Sequence, residues 1–214
     1  MNFVYLKFLG FCRKILKTSI ILLFSLDPTA LVDITALEDV EDQADSQSQH
    51  KILRVVDFNE LKILAHNPEY DMPLWFVEES QVKSVQCYGS FKNSQLCSYL
   101  FISQSAIRVS GNIATQIPPN HLYCLKVFTL PEWRKQGLFR ELLSFSVSQE
   151  LAHQKAEKVF VYIYAENQVS IQAFRDFGFK LRGVSSIFRS KFPVNFVNTY
   201  LFRMNTASSN QLIS

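Results

Sequence analysis

The stretch Leu130-Pro131-Glu132-Trp133-Arg134-Lys135-Gln136-Gly137-Leu138-Phe139 stands where a strand-like run stops and a helical one begins. Residues 121–130 before it are rich in β-branched and aromatic side chains. Residues 137–155 after it carry Leu138, Leu142, Leu143, Phe145, Val147 and Leu151 at helical spacing. The first turn of a helix presents unpaired N–H groups and a partial positive charge, and turn residues ahead of it can aim further N–H groups at the same point. Such a place suits a phosphate. Gly137 lets the chain approach it without a Cβ in the way, and Arg134 and Lys135 bring full positive charge beside it. A single glycine between a strand and a helix is often only a loop glycine, so the neighbouring segments have to decide.

Working outward, residues 51–56 read as a strand and 59–65 as a short helix. Residues 81–90 and 95–103 form a hairpin around Lys92-Asn93-Ser94. Residues 158–164 are an almost unbroken Val/Phe/Tyr/Ile run, as in a strand covered on both faces. A helix over 169–177 and strands over 179–189 and 196–203 close the pattern. Strand, helix, strand, helix, strand in the second half predicts a parallel pair inside a mixed sheet, an α+β (mixed α/β) fold.

A second motif stands downstream: Asn167-Gln168-Val169-Ser170-Ile171-Gln172-Ala173-Phe174-Arg175-Asp176-Phe177-Gly178-Phe179. The first stretch resembles motif A of the GNAT superfamily of N-acetyltransferases, Arg/Gln-x-x-Gly-x-Gly/Ala after a strand ending near Pro. Arg134, Gly137 and Pro131 match, and Phe139 replaces the last small residue. The second stretch resembles motif B, Asn-x-x-Ser/Ala, a helix, then Gly-Phe. The resemblance covers about residues 52–203 and looks like bacterial members with a short N-terminal helix–strand extension.

That resemblance implies a strongly twisted mixed sheet, its central parallel pair splayed around acetyl-CoA, with helices on both faces. It implies transfer of an acetyl group from acetyl-CoA, as cosubstrate, to an amine of a small molecule or peptide by direct attack. The coenzyme residues it implies are Lys126, Val127 and Phe128 through their backbone, then Arg134, Lys135, Gln136, Gly137, Leu138 and Phe139 around the pyrophosphate, and Asn167 on the pantetheine arm. Asn167 also reads as a helix N-cap and Gly178 as a C-cap, and both roles stand together. Many relatives place a Tyr seven residues after the motif-B Asn, where this chain has Phe174. The general acid and base are therefore unassigned. Tyr164, with Tyr162 beside it, His121 and Glu166 are the candidates, each readable equally as packing or surface residues. Strand 121–128 offers no carboxylate, and Lys126 stands where an acid is expected. Acceptor specificity is expected from the first helical region and from residues 105–120. A catalytically weak acyl-CoA-binding sensor, or a membrane-surface acyltransferase acting on an envelope precursor, are the competing functions.

The 214 residues allow one domain with appendages, and 48% apolar content with nineteen Phe supports a sizeable core. A net charge of +3 without a Lys/Arg stripe points away from nucleic acid. The four cysteines make no C-x-x-C pair and the four His are scattered, so no metal site is expected. Cys87 and Cys97 could face each other across the hairpin, but reduced thiols in a cytoplasmic protein are the expectation. The reading divides the chain into an apolar, basic extension (1–32), an acidic flexible linker (33–50), the acetyltransferase domain (51–204) and a disordered tail (205–214). Residues 1–26 read either as a helix and strand packed on the domain or as a basic amphipathic segment on the inner membrane face. They are too interrupted by charge to span a membrane. Acetyl-CoA, an unidentified amine and a monomeric or homodimeric state complete the expectation.

Overall fold

A computed structural model describes residues 17–28, 51–105, 108–110, 113–114, 119–153 and 156–189. The expected N-terminal helix up to residue 16, the acidic linker, the closing strand over 196–203 and the tail lie outside these. The contacts divide the chain into two units, residues 26–161 and residues 1–25 with 162–214.

In the larger unit the strands are β2 (Lys51–Val55), β3 (Gln86–Lys92), β4 (Gln95–Ser103), β7 (His121–Thr129) and the first part of β8 (Lys158–Tyr164), side by side in the order β2-β3-β4-β7-β8. All neighbours are antiparallel except β7 and β8, which are parallel, as the strand–helix–strand pattern requires. Two short strands, β5 (Arg108–Ser110) and β6 (Ile113–Ala114), pair within the segment read as a loop.

The helices of this unit are α1 (Phe58–Ala65), α2 (Leu74–Val82) and α3 (Leu138–His153). Asp57 starts α1, its carboxylate accepting from the N–H groups of Asn59 and Glu60 at 2.8 and 3.0 Å. Residues 81–82, read as the start of a strand, are instead the last residues of α2. The chain turns at Ser84 (φ 54°), where Ser84 N–H bonds back to Gln81 O, before β3 begins at Gln86. Adjacent strand residues face opposite ways. Phe101 therefore meets Phe76 of α2 edge-on at 5.0 Å, whereas Tyr88, on the other face, meets Phe145 of α3 at 6.0 Å. Helices thus cover both faces. Leu138, Leu142, Leu143 and Val147 of α3 are buried at the predicted spacing.

In the smaller unit β8 is followed by α4 (Gln168–Asp176) and β9 (Lys180–Arg189), with strand order β8-β1-β9. Here β1 (Lys17–Leu26), part of the stretch read as an extension, pairs antiparallel with β9 from Lys17↔Arg189 to Ser25↔Lys180. Arg182 Nε donates to Ser25 Oγ at 2.9 Å, tying the two strands by side chains as well. No helix among the described residues is long and apolar enough to cross a membrane.

Candidate active site

The loop between β7 and α3 is built in three steps. After Leu130 a 3₁₀ turn, Pro131–Trp133, is closed by Trp133 N–H to Leu130 O at 2.9 Å and Arg134 N–H to Pro131 O at 3.3 Å. Arg134 is extended. Lys135 (φ 62°) and Gly137 (φ 76°) are then both left-handed, and α3 starts at Leu138. Alternation of this kind turns successive N–H groups toward one side. The N–H groups of Lys135, Gln136, Gly137 and Leu138 make no backbone bond among the described residues. Unpaired N–H groups ahead of a 16-residue helix, at the positive end of its dipole, make this loop the candidate anion cradle.

Side chains hold this loop from behind and charge it in front. Arg134 Nε donates to Thr129 O at 3.0 Å, tethering the exposed guanidinium, whose terminal nitrogens make no hydrogen bond among the described residues. Gln136 Nε2 donates to Glu132 O at 3.1 Å. Lys92, from the β3–β4 hairpin, lies 4.9 Å from the Trp133 ring centroid and donates to Gln136 Oε1 at 3.3 Å. Lys92 is a support that the chain order does not reveal, being forty-four residues away. Leu138 enters the core at 2% exposure, while Phe139 is only half-buried. The bulky residue at the end of motif A thus does not take the core position; its predecessor does. Glu141, in the first turn of α3, is ion-paired with Lys51, which offsets a carboxylate near the cradle.

Upstream, β7 is irregular. Phe101 pairs with Leu125 and Tyr99 with Phe128, so Lys126 and Val127 together oppose Leu100: a bulge, with Lys126 at φ 37°. The parallel ladder with β8 runs only from His121↔Lys158 to Cys124↔Val161, although β7 continues to Thr129. Lys126, Val127 and Phe128 thus lie beyond the ladder, each half-buried. They share one unit with Arg134 through Phe139.

The candidate proton carriers are divided between the two units. His121 begins β7, about 17 Å of extended chain before Lys126. Its Nδ1 sits 2.7 Å from Pro119 O and its ring stacks on Phe160 at 5.2 Å. In the smaller unit Tyr164 is half-buried and Glu166 exposed. Burial raises the Tyr162 phenol above its ordinary value. Asn167 Oδ1 accepts Ser170 N–H at 3.1 Å, so the capping role is present. Gly178 (φ 107°) ends α4, with Phe179 N–H to Phe174 O at 2.9 Å closing a Schellman turn. Phe174 is buried and meets Phe179 edge-on at 5.0 Å, a core contact in place of a phenol. Cys87, Cys97 and Cys124 are buried free thiols. Among the described residues no three His, Cys, Asp or Glu side chains are placed to hold a metal.

A mixed sheet with a bulged strand running into a helix, and a second helix capped by Asn and closed by Gly-Phe, define an α+β class. The model of the Acetyltransferase (GNAT) family matches residues 64–179, more than half of the sequence, and the chain belongs to that family. No curated protein matches it. Among solved structures it resembles a conserved protein of unknown function from Staphylococcus epidermidis ATCC 12228 (TM-score 0.54, 13% identity, 87% of this chain and 66% of that one). A Drosophila protein gives a TM-score of 0.52 at 14% identity, over 86% of this chain and 55% of that one. A GCN5-related N-acetyltransferase from Kribbella flavida gives 0.49 at 11%, over 80% and 60%. The first two likenesses concern the fold, and this chain spans about two-thirds or less of the length of each of the three.

Proposed function

We propose that the protein transfers an acetyl group from acetyl-CoA to an amine. The observation that carries this reading is the run of four N–H groups, Lys135 to Leu138, with no backbone partner among the described residues, ahead of α3 and next to the tethered Arg134. Its donors suit the oxygens of a pyrophosphate: backbone N–H groups, a guanidinium and the Lys135 ammonium, with the Glu141 carboxylate paired to Lys51. The bulged backbone of Lys126–Phe128 supplies N–H and C=O groups for the amides of a pantetheine arm and for polarising a thioester carbonyl. Asn167, whose side-chain oxygen caps α4, carries the amide N–H groups that motif B implies for a pantetheine arm.

The neutral amine attacks the carbonyl carbon, the C–S bond breaks and the sulfur leaves as a thiolate. Phe174 cannot protonate it. Tyr162 or Tyr164 is proposed for that step: burial favours the neutral, proton-carrying phenol of Tyr162. Positioning of the reactants is the larger contribution.

Acetyl-CoA should raise the melting temperature, and acetate should not, because only a ligand of the folded state stabilises it. Arg134→Glu should abolish the rise while leaving the unliganded melting temperature close to that of the parent. Free-thiol release in the presence of amines then distinguishes transfer from mere binding. A parent that shows no shift with acetyl-CoA would remove the basis of this reading.

A further inference from the structure

The sequence placed a lysine where the reaction calls for an acid, and the fold supplies the acid from elsewhere. Asp71 lies in the loop between α1 and α2, at the end of the 3₁₀ turn Pro68–Tyr70. Its Oδ2 accepts from Lys126 Nζ at 2.6 Å, across fifty-five residues of sequence. Both partners are non-glycine residues in the left-handed region, Asp71 at φ 46° and Lys126 at φ 37°. Such conformations are disfavoured for side chains with a Cβ and persist where surrounding structure imposes them.

The imposing structure is visible on both sides. Across the bulge, Leu125 pairs with Phe101 and Phe128 with Tyr99, so the extra residue lets Lys126 reach the same face as these four side chains. In a regular strand Lys126 would alternate to the α3 face. On the loop side, the hydroxyl of Tyr99, a fully buried residue, donates to Tyr70 O at 2.7 Å and to Asp71 O at 3.2 Å. The Tyr99 ring in turn packs on Phe128 at 5.7 Å. Asp71 is thus fastened by backbone and by one carboxylate oxygen beside the strand segment that lies past the parallel ladder. The residue remains well exposed, with its side chain 64% accessible, and Oδ1 accepts no hydrogen bond among the described residues.

We propose that Asp71 is the carboxylate that receives the acceptor, and that the acceptor is a primary amine arriving as its ammonium ion; this rests on the acetyl-CoA reading above. The ammonium donates to Oδ1 while Lys126 keeps Oδ2. One proton passes from the ammonium to Asp71 and on to solvent. The freed lone pair forms the C–N bond to the thioester carbonyl, and the C–S bond breaks. The nitrogen's next proton ends on the departing sulfur, so an amide and a free thiol are produced. Lys126 and Tyr99 are positioning residues, since they act through Asp71.

The test uses the full chain, acetyl-CoA and a set of amines (hexylamine, phenethylamine, lysine amide, triglycine amide), with hexanol and phenethyl alcohol as uncharged counterparts. Thiol release is followed at varied amine and varied acetyl-CoA. At least one amine, and neither alcohol, should be a substrate. Asp71→Asn should raise the amine KM about tenfold, the loss expected of one charge-assisted hydrogen bond, and leave the acetyl-CoA KM within about twofold. Added salt should raise the amine KM of the parent and not that of Asp71→Asn, and Asp71→Glu should recover part of the loss. Unchanged amine KM in Asp71→Asn would overturn the proposal. So would the absence of any amine substrate in a protein that acetyl-CoA stabilises against melting. A protein that acetyl-CoA does not stabilise would instead overturn the coenzyme reading beneath it.

Discussion

Two residues, Gly137 and Gly89, show how the same substitution acts through different physics. A Cβ built on Gly137 meets only Glu141 Oε1, at an ordinary contact distance of 3.7 Å, so the constraint there is the backbone at φ 76°. Gly137→Val should therefore cost about 1–2 kcal/mol of stability through conformation alone. It should weaken coenzyme binding about tenfold as the loop relaxes and the N–H groups turn away, an effect of the same size in free energy. Calorimetric titration with CoA and urea unfolding read the two separately. Gly89 lies in β3, where a Cβ would come within 2.7–2.8 Å of Phe91, Leu96 and Val56. Gly89→Ala should lower stability by about 1–3 kcal/mol through overpacking and leave coenzyme affinity nearly unchanged. At this scale the turn into α3 was legible, because Gly137 directly precedes an apolar helical stripe. Asp71 was not. Nothing in Glu69-Tyr70-Asp71-Met72 marks one acid above its neighbours until the fold brings Lys126 to it.

Among the elements, β7 carries most of the proposed function and was the hardest to read. Its existence follows from composition, but its bulge does not. A one-residue insertion in a ladder leaves no pattern in a strand whose residues 122–125 are all buried, since alternation is already masked there. The bulge nevertheless decides which face Lys126 uses and where pairing with β8 stops. The helices were read more reliably. The stripe Leu138, Leu142, Leu143, Val147 and the cap Asn167 are local signals, settled within one or two turns. By contrast α2 was missed and its last residues were read as strand. Phe76, Val77 and Ser80 face the core while Val82 is exposed, so its apolar positions do not form one clean stripe.

At the level of the whole molecule, the buried acids set how the fold responds to pH. Burial pushes the Cys124 thiol from 9.0 up to about 12, holds the Cys87 thiol well above its ordinary value, and raises the phenols of Tyr88 and Tyr99. Each group is favoured in its neutral form when folded, so between the unfolded and folded values the folded chain binds more protons. This contribution is complete below about pH 9 and is lost progressively as pH rises past it. Urea midpoints should accordingly hold steady near neutrality and fall from about pH 9 upward, with a shallower fall in Cys124→Ala. A midpoint independent of pH up to about 11 would contradict this. The sequence by itself determined the α+β class and the family, because strand and helix periodicity, Gly137, Asn167 and Gly178 act on the backbone within a few residues of themselves. Only the tertiary structure decided that Lys92 supports the cradle and Lys51 neutralises Glu141. It also placed Asp71 at the bulge beside Lys126. Those contacts join residues forty or more positions apart, and their partners are chosen by strand register and helix packing, which no local pattern encodes.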